Sequence, residues 1–265
     1  MSELSTEKPV IETRKGKSVW LTLNRPQVKN AMNGEMIAML VEAFQRLGSD
    51  PDTRAIVLAG NGDAFCSGAD LGYMMQMAQQ AASNQQSGIT LTSLFRGIAE
   101  CPKPVVARVH GLCLAGATGL VSASDIIVAS NNVKFSLPEV KRGLIPATIS
   151  PYVVQAMGVQ AARRYFITGE TFTAEKACEL GMVHELTTPD MLDAKLESIL
   201  AELGSCAPDA MAACKKLVRD VSRMDISADE THAEVAARLA AVRGSAEAAE
   251  GMMAFMEKRK PVWMN

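Results

Sequence analysis

The sequence lacks the cysteine spacing, the clustered histidines and the excess of positive charge that disulfide frameworks, metal sites and nucleic-acid surfaces need. Its 265 residues include three histidines, which are too scattered for a metal site, and six cysteines without CxxC spacing. Lysine and arginine number 27 against 29 aspartates and glutamates, so the net charge of -2 gives no reason to expect nucleic acid or an anionic membrane as a partner. These shortages exclude a disulfide-stapled domain and predict a reduced protein without a bound metal.

Long apolar stretches are also missing. No run reaches the ~18 apolar residues that span a bilayer, and the polar residues 1–8 lack the apolar core of a signal peptide. We therefore predict a cytoplasmic protein that does not contact a membrane. The length suits a single α/β domain with a helical extension, which can bury about three-quarters of the surface of the unfolded chain.

Short β-rich runs alternate with helical patterns through the first half, which predicts an α/β core with buried strands. After Pro151 helical patterns prevail, and we place a soft boundary near residues 190–205. The portion beyond it is predicted to pack on the core or on another subunit. The predicted strands are 18–23, 55–59, 105–109, 125–128, 133–136 and 182–186; the predicted helices are 32–47, 91–99, one from residue 117, 151–167, 173–180, 189–204, 208–222, 229–242 and 245–258.

A glycine-rich turn followed by a solitary carboxylate suggests chemistry. The turn, residues 111–119, reads Gly-Leu-Cys-Leu-Ala-Gly-Ala-Thr-Gly, and Glu139 follows in Ser-Leu-Pro-Glu-Val. The backbone N–H of Gly116 can hold a developing oxyanion, and Glu139 can move a proton beside it. A second turn, residues 64–70, can supply another N–H group. The alternatives are that both turns are only tight turns and that Glu139 is a surface carboxylate.

A series of short motifs occurs in order along the chain. They are Asn24-Arg25-Pro26-x-x-x-Asn30-Ala31, Ala64-Phe65-Cys66-Ser67-Gly68-Ala69-Asp70-Leu71, Lys103-Pro104-Val105-Val106-Ala107, His110-Gly111, Ser124-Asp125-Ile126, Phe135-x-x-Pro138-Glu139-Val140-x-x-Gly143-Leu144-Ile145-Pro146 and Phe255-x-Glu257-Lys258-Arg259-Lys260-Pro261. Each motif is weak evidence alone. Their order and spacing together resemble the crotonase (enoyl-CoA hydratase/isomerase) superfamily over nearly the whole chain.

The resemblance implies an α/β fold, a crotonase (ClpP-like) spiral of ββα units over residues 1–195, followed by a helical trimerisation region over residues 196–265. It implies an acyl-CoA thioester as substrate, no cofactor beyond the CoA of that substrate, and self-association as a trimer or a dimer of trimers. Two backbone N–H groups form an oxyanion hole in the family, and we assign them to Ser67 and Gly116. The substrate contacts implied in the same turn are Gly68, Ala69 and Asp70, and the implied CoA contacts are Arg25, Lys29, Lys258 and Lys260, for each of which solvated surface charge is the alternative.

The chain departs from the two-glutamate hydratases of this superfamily. The slot of the first glutamate falls on Gly119, whereas the second matches Glu139. Ala147 stands where a glycine often holds the catalytic water by its N–H, and it can still donate. A partly apolar pocket would raise the pKa of Glu139. We predict that Glu139 takes a proton from water attacking Cβ and then delivers a proton to Cα.

Residues 143–154 resemble those of bacterial 3-methylglutaconyl-CoA hydratases and of the isohexenylglutaconyl-CoA hydratases of acyclic terpene (citronellol/geraniol) degradation. Both groups hydrate a 3-substituted glutaconyl-CoA to a tertiary alcohol. The longer isohexenyl chain needs more apolar room. The small residues Ala115, Ala117 and Gly119 and the methionine-rich segment 73–77 would provide it, and Gly119 itself vacates the space of a glutamate side chain. We favour isohexenylglutaconyl-CoA as the substrate and keep 3-methylglutaconyl-CoA as the alternative.

Residues 72–90 are rich in glutamine and methionine and follow the turn at 64–70. One interpretation is a surface helix or loop. The other is a lid whose Met74, Met75 and Met77 line an apolar pocket, because methionine adapts to irregular ligands.

Three other functions are compared with the motifs. A double-bond isomerase needs the same oxyanion hole and one carboxylate, so it stays open. A hydrolase or dehalogenase needs a nucleophilic carboxylate near residues 140–150, and no aspartate or glutamate occurs from Lys141 through Gly169. RNA binding, known for some relatives of the methylglutaconyl hydratases, is opposed by the near-neutral charge and the lack of a basic stripe.

Overall fold

The structure is a computed structural model that describes residues 8–79 and 81–264. Residues 1–7, 80 and 265 lie outside the described residues, as do the side chains of residues 81–84. The prediction that the N-terminus is not a signal peptide falls mostly on residues 1–7. Within the described ranges, no helix combines the length and the apolar character needed to cross a bilayer.

The described residues form two β-sheets. Their strands are β1 (Val10–Lys15), β2 (Ser18–Leu23), β3 (Ala55–Gly60), β4 (Val105–Val109), β5 (Leu112–Leu114), β6 (Ile126–Ser130), β7 (Lys134–Ser136), β8 (Thr171–Thr173) and β9 (Glu185–Thr187). The six-stranded sheet has the order β1-β2-β3-β4-β6-β9, antiparallel between β1 and β2 and parallel elsewhere. The three-stranded sheet has the order β5-β7-β8.

Helices fill most of the remaining chain. The α-helices are α1 (Gly34–Ser49), α2 (Leu71–Ala78), α3 (Ala81–Glu100), α4 (Gly116–Ala123), α5 (Ser150–Met157), α6 (Val159–Thr168), α7 (Ala174–Glu179), α8 (Leu192–Ser205), α9 (Pro208–Val221), α10 (Asp229–Arg243) and α11 (Ala246–Met256). Short 3-10 helices cover Pro26–Val28, Pro138–Arg142, Pro189–Met191 and Val262–Met264. The predicted α/β class is confirmed.

The large sheet is covered on both faces. Because successive side chains of a strand point in opposite directions, one strand contributes to the core on each side. In β2, Val19, Leu21 and Leu23 join the main core with α1, α3 and α4. Trp20 points to the other face, where Leu192 and Leu196 of α8 cover the sheet. Burial on both faces explains why β3 and β4 are nearly continuous apolar runs.

The sequence did not predict three of the strands. Only Val10 of β1 is buried, so this edge strand shows no apolar alternation. β5 lies inside the stretch interpreted as a glycine turn, and β8 has three residues, of which Phe172 is buried. The helix predicted over residues 151–167 is two helices, because Gly158 has φ +78° between α5 and α6.

The C-terminal helices are held to the core by specific polar contacts. Lys215 of α9 reaches Asp125 at 2.7 Å and the carbonyl oxygens of Ile98 and Lys103. The division at residue 195 stays a prediction; α8, which crosses it, packs on the sheet. Several apolar side chains of the C-terminal region are exposed, as an association surface would require, and self-association also stays a prediction. They include Val218, Ile226, Leu239, Met252, Met253, Phe255 and Met256.

Candidate active site

A cavity of about 760 Å³ lies where α2, α3, the start of α4 and residues 138–149 meet. Its size suits a small-molecule ligand. Most of its lining is apolar. Among the described residues, the charged side chains that line it are Asp70, Glu139 and Arg142.

Two turns meet at one wall of this cavity. Cys66 donates its N–H to the carbonyl oxygen of Leu112 at 3.0 Å and accepts that of Leu114 at 3.1 Å, so the two segments run side by side. Gly68, with φ +97°, lies where the first segment passes Ala115 of the second. A Cβ at this position would lie 2.8 Å from Ala115 Cβ and 3.6 Å from Gly116 N. Glycine at position 68 therefore permits the contact.

The backbone N–H groups of Ala69 and Gly116 line the cavity without an acceptor among the described residues. The carbonyl oxygen of Gly68 accepts a hydrogen bond from Met32 at 2.8 Å. The Ala69 N–H belongs to the same peptide plane and therefore points the opposite way. Gly116 is the first residue of α4, where no intrahelical acceptor exists.

The assignment of Ser67 as an oxyanion donor is wrong. Its N–H donates to the carbonyl oxygen of Lys29 at 2.9 Å, and its hydroxyl donates to that of Val28 at 3.3 Å. Ser67 still lines the cavity. The free N–H of this turn is that of Ala69, two residues further on.

Ala115 positions the N–H of Gly116. Its φ of 53° and ψ of -125° form a conformation that residues with a Cβ rarely adopt. The turn is held by the N–H of Ala115, which donates to the carbonyl oxygen of Ser136 at 2.8 Å. Backbone strain of this kind persists where the surroundings fix it, and it is frequent at functional sites.

Glu139 lies in the 3-10 helix Pro138–Arg142 and lines the same cavity. Pro138 fixes the start of this turn, and Gly143, with φ +70°, ends it. The Oε2 atom of Glu139 is buried and has no hydrogen-bond partner among the described residues. Burial raises the pKa of Glu139 above its ordinary value of 4.5, against the opposing effects of its own N–H and the charge of Arg142. A carboxyl in this state is suited to proton transfer.

The prediction that Ala147 holds a water by its N–H is not supported by the geometry. Ala147 lines the cavity, but its N–H donates to the carbonyl oxygen of Ile145 at 2.9 Å. The group is therefore already engaged within its own loop.

The expectation that Gly119 vacates space for substrate is wrong. Gly119 is buried in α4 and does not line the cavity. A Cβ on it would lie 2.2 Å from Ile149 Cγ2 and 3.1 Å from Phe95 Cε1. The side chain of Ile149 fills the place that a larger residue at 119 would need, so position 119 cannot carry a carboxylate in this packing.

We expect Gly119→Ala to destabilise the fold by about 1–3 kcal/mol, because the added methyl overpacks against Ile149. Gly97→Ala is the matched control, since Gly97 is also helical but its Cβ would meet Phe44 Cβ at 3.9 Å, an ordinary contact. The control should be neutral or more stable by up to about 1 kcal/mol, since alanine favours a helix. Urea unfolding at equal protein concentration measures both; equal stability of the two variants would contradict the packing argument.

The methionine-rich segment 72–90 is helical where described and belongs to α2 and α3. Met74 and Met77 line the cavity, whereas Met75 is 69% exposed and does not. The Tyr73 hydroxyl and Ser87 Oγ lie 3.2 Å apart and join the two helices. The segment thus covers one side of the cavity.

Arg25 and Asp70 are engaged with each other. Arg25 Nη1 lies 3.1 Å from Asp70 Oδ2 and donates to the carbonyl oxygen of Ala31 at 2.5 Å. Asp70 also caps α2 by accepting the N–H of Tyr73 at 3.1 Å. Burial opposes ionisation of Asp70, but the Tyr73 and Arg25 hydrogen bonds prevail and lower its pKa. Asp70 lines the cavity and Arg25 does not. CoA binding by Arg25 stays a prediction.

The three lysines predicted to contact CoA are exposed. Lys29, with φ 52°, closes the 3-10 turn beside Val28, which lines the cavity. Lys258 and Lys260 lie beyond α11, in a tail fixed by the ion pair between Arg259 and Glu250 at 2.6 Å. They do not line the cavity. CoA binding by these lysines stays a prediction.

Several lining residues escaped the sequence reasoning. Phe95 and Leu91 lie on the predicted helix 91–99, but the apolar pattern of that helix does not show that these two residues line a cavity. Ile149 precedes the predicted helix 151–167. Arg142, three residues after Glu139, was overlooked although it is a basic residue beside the candidate acid/base.

The cysteines beside the site are unsuited to nucleophilic chemistry. Burial raises the pKa of Cys66 to about 12, and burial also raises that of Cys113. Over the described ranges, no group of three or more His, Cys, Asp or Glu could hold a metal ion. The absence of a metal stays a prediction from the sequence.

Comparison with known proteins identifies the family to which this chain belongs. Residues 14–265 match the enoyl-CoA hydratase/isomerase family model. An enoyl-CoA hydratase structure from Shewanella pealeana has 36% identity and a TM-score of 0.92, covering 96% of each chain. The Pseudomonas aeruginosa AtuE structure has 34% identity and a TM-score of 0.91, covering 97% of this chain and 100% of that one. The 2,3-dehydroadipyl-CoA hydratase of Escherichia coli is 28% identical and covers 98% of both chains. The predicted crotonase fold is confirmed, and the chain is an enzyme of the enoyl-CoA hydratase/isomerase family.

Proposed function

We propose that this enzyme adds water to the α,β double bond of a 3-substituted glutaconyl-CoA. One observation carries the proposal: Glu139, whose Oε2 is buried and unpartnered among the described residues, lines the same cavity as Ala69 and Gly116 with their free N–H groups. Hydration of an enoyl thioester needs an acid/base group and an oxyanion site together.

The two N–H groups act on the thioester oxygen. Attack of water at Cβ moves charge through Cα onto that oxygen, and Ala69 and Gly116 donate hydrogen bonds to it. Each preorganised donor contributes about 3 kcal/mol to the transition state. The gain arises because the charge develops where the donors already point.

Glu139 carries the proton. As a carboxylate it takes one proton from the attacking water, whose oxygen bonds to Cβ. The resulting carboxylic acid then delivers that proton to Cα as the enolate collapses, which completes the addition of one water and restores the carboxylate. The raised pKa of Glu139 suits both halves of this cycle.

The acyl group is the finer part of the proposal. We favour isohexenylglutaconyl-CoA, with 3-methylglutaconyl-CoA as the alternative. Met74, Met77, Leu91 and Phe95 supply an apolar lining that suits a branched chain. Because Ile149 fills the space beside Gly119, the room for the longer chain is that beside the methionines of α2.

A comparison of kcat/KM for isohexenylglutaconyl-CoA, 3-methylglutaconyl-CoA and crotonyl-CoA tests the substrate. We expect the isohexenyl substrate to exceed the methyl one by about tenfold or more, since each additional buried CH₂ contributes about 0.8 kcal/mol. Crotonyl-CoA should be poorest. A preference for crotonyl-CoA would contradict the proposed substrate class, and a preference for the methyl substrate would favour the alternative.

A double-bond isomerase is distinguished by the product formed in heavy-oxygen water. Hydration places the label on Cβ, and the product mass rises accordingly. An isomerised, unlabelled product would instead support the isomerase.

A shift of RNA in a binding assay at low salt would support the RNA-binding alternative.

A further inference from the structure

Arg142 is the basic side chain that lines the cavity among the described residues. It lies in the 3-10 helix that carries Glu139, three residues further on. Its one hydrogen bond runs from Nη1 to the carbonyl oxygen of Pro138 at 3.4 Å, a long contact. The other N–H groups of the guanidinium have no acceptor within the described part of the chain.

The charges around the cavity leave Arg142 without a carboxylate partner of its own. Asp70 is engaged by Arg25 at 3.1 Å. Glu139 feels the charge of Arg142 but forms no ion pair with it, and its Oε2 is unpartnered. A guanidinium with free donors at the edge of an apolar cavity is a site for a planar anion, because its fork matches a carboxylate.

We propose that Arg142 binds a carboxylate on the acyl chain of the substrate and thereby selects carboxylate-bearing enoyl-CoA thioesters. The inference rests on the proposed hydratase function and deepens it. Arg142 and Glu139 share one turn, so the anion that Arg142 holds lies near the carbons on which Glu139 acts. In a 3-substituted glutaconyl-CoA the carboxylate lies one methylene beyond Cβ, which fits this spacing. The apolar remainder of the lining offers a carboxylate no comparable compensation for lost water.

A matched substrate pair tests the inference. 3-Methylglutaconyl-CoA and 3-methylcrotonyl-CoA differ in one carboxylate, which replaces a hydrogen of a methyl group. The variants are Arg142→Gln, which removes the charge, and Arg142→Lys, which keeps the charge but loses the fork. Lys141→Gln is the control, since Lys141 is the adjacent exposed cation and does not line the cavity. The measurements are kcat/KM for both substrates and its pH profile.

We expect Arg142→Gln to lower kcat/KM for 3-methylglutaconyl-CoA by about 10- to 100-fold, the effect of one charge-assisted hydrogen-bonding group. The value for 3-methylcrotonyl-CoA should not change, Arg142→Lys should lose less, and the control should match the wild type. An equal fall in kcat/KM for both substrates would overturn the inference by showing that Arg142 acts on the CoA part. A shift of the acid side of the pH profile with both substrates would overturn it by showing that Arg142 acts on Glu139. No fall for either would overturn it too.

The wild-type enzyme separates this inference from the proposed function. If it hydrates 3-methylglutaconyl-CoA well and Arg142→Gln does so equally well, the role of Arg142 fails and the hydratase proposal stands. If the wild type prefers 3-methylcrotonyl-CoA, the proposed substrate class fails and the role of Arg142 fails with it.

Discussion

Glu139→Gln is expected to lower kcat for hydration by about 10²- to 10⁴-fold, the range for loss of a general acid/base. Asp70 is the other carboxylate that lines the cavity among the described residues, and it cannot substitute because it caps α2 and pairs with Arg25. The glutamine side chain keeps the size of the glutamate. Binding of a CoA ester should therefore be nearly unchanged, which a direct titration with a non-hydrated acyl-CoA measures.

The same substitution is expected to stabilise the fold at neutral pH. Burial raises the pKa of Glu139, so the folded state binds the proton more tightly than the unfolded state. Below the ordinary value of 4.5 both states are protonated and the carboxyl costs no stability. As pH rises through the folded-state pKa, the ionised buried group destabilises the wild type but not the glutamine variant. The difference in Tm between them should grow with pH and then level off.

Activity should rise with pH as Glu139 loses its proton. The catalytic cycle starts from the carboxylate, so kcat/KM of the wild type should fall on the acid side with an apparent pKa above that of an ordinary glutamate. Glu197→Gln is the control, because Glu197 is an exposed residue of α8 outside the cavity, and it should retain turnover and pH profile. Retained turnover in Glu139→Gln would end the assignment of Glu139 as the proton carrier.

The parts of the site that could be predicted from the sequence are those set by local chain geometry. Gly116 starts a helix after a glycine-rich turn, and Glu139 follows a proline that fixes its turn, so both positions were evident from neighbouring residues. Which N–H of the turn at residues 64–70 is free is decided by hydrogen bonds to segments outside the turn. The carbonyl oxygen of Lys29 accepts the N–H of Ser67. Met32 donates its N–H to the carbonyl oxygen of Gly68 and so orients the Gly68–Ala69 peptide, which leaves the N–H of Ala69 as the free donor.

The interpretation of Gly119 failed for the same reason. The absence of a side chain at position 119 predicts open space, but Ile149 enters that space from a segment 30 residues away in sequence. The strands show the same difference between what local sequence predicts and what distant contacts decide. The bounds of strands 18–23 and 105–109 were predicted to the residue because burial makes them mostly apolar, whereas β1 is an edge strand with an exposed, polar sequence. Contacts between distant segments decide what a local pattern leaves open.

Gly68→Ala is expected to lower kcat by about 10²- to 10³-fold, the effect of losing an oxyanion donor. The new Cβ would lie 2.8 Å from Ala115 Cβ and 2.9 Å from the carbonyl oxygen of Leu114. Leu114 O belongs to the backbone and the Ala115 methyl is fixed to it, so relief requires the two turns to separate. That movement carries the N–H of Ala69 away from that of Gly116, and the two can no longer meet one oxygen.

Gly158→Ala separates this steric effect from backbone strain. Gly158 has φ +78°, close to the +97° of Gly68, but a Cβ there would meet nothing within 4 Å. Both variants should lose about 1–3 kcal/mol of stability to the unfavourable conformation, and Gly68→Ala should lose more because of its clash. Only Gly68→Ala should lose turnover, since the turns at Ala69 and Gly116 are undisturbed in the control. Thermal unfolding and kcat for each variant measure both effects. A fully active Gly68→Ala would show that these two N–H groups do not form the oxyanion hole, because their spacing depends on the contact that glycine allows.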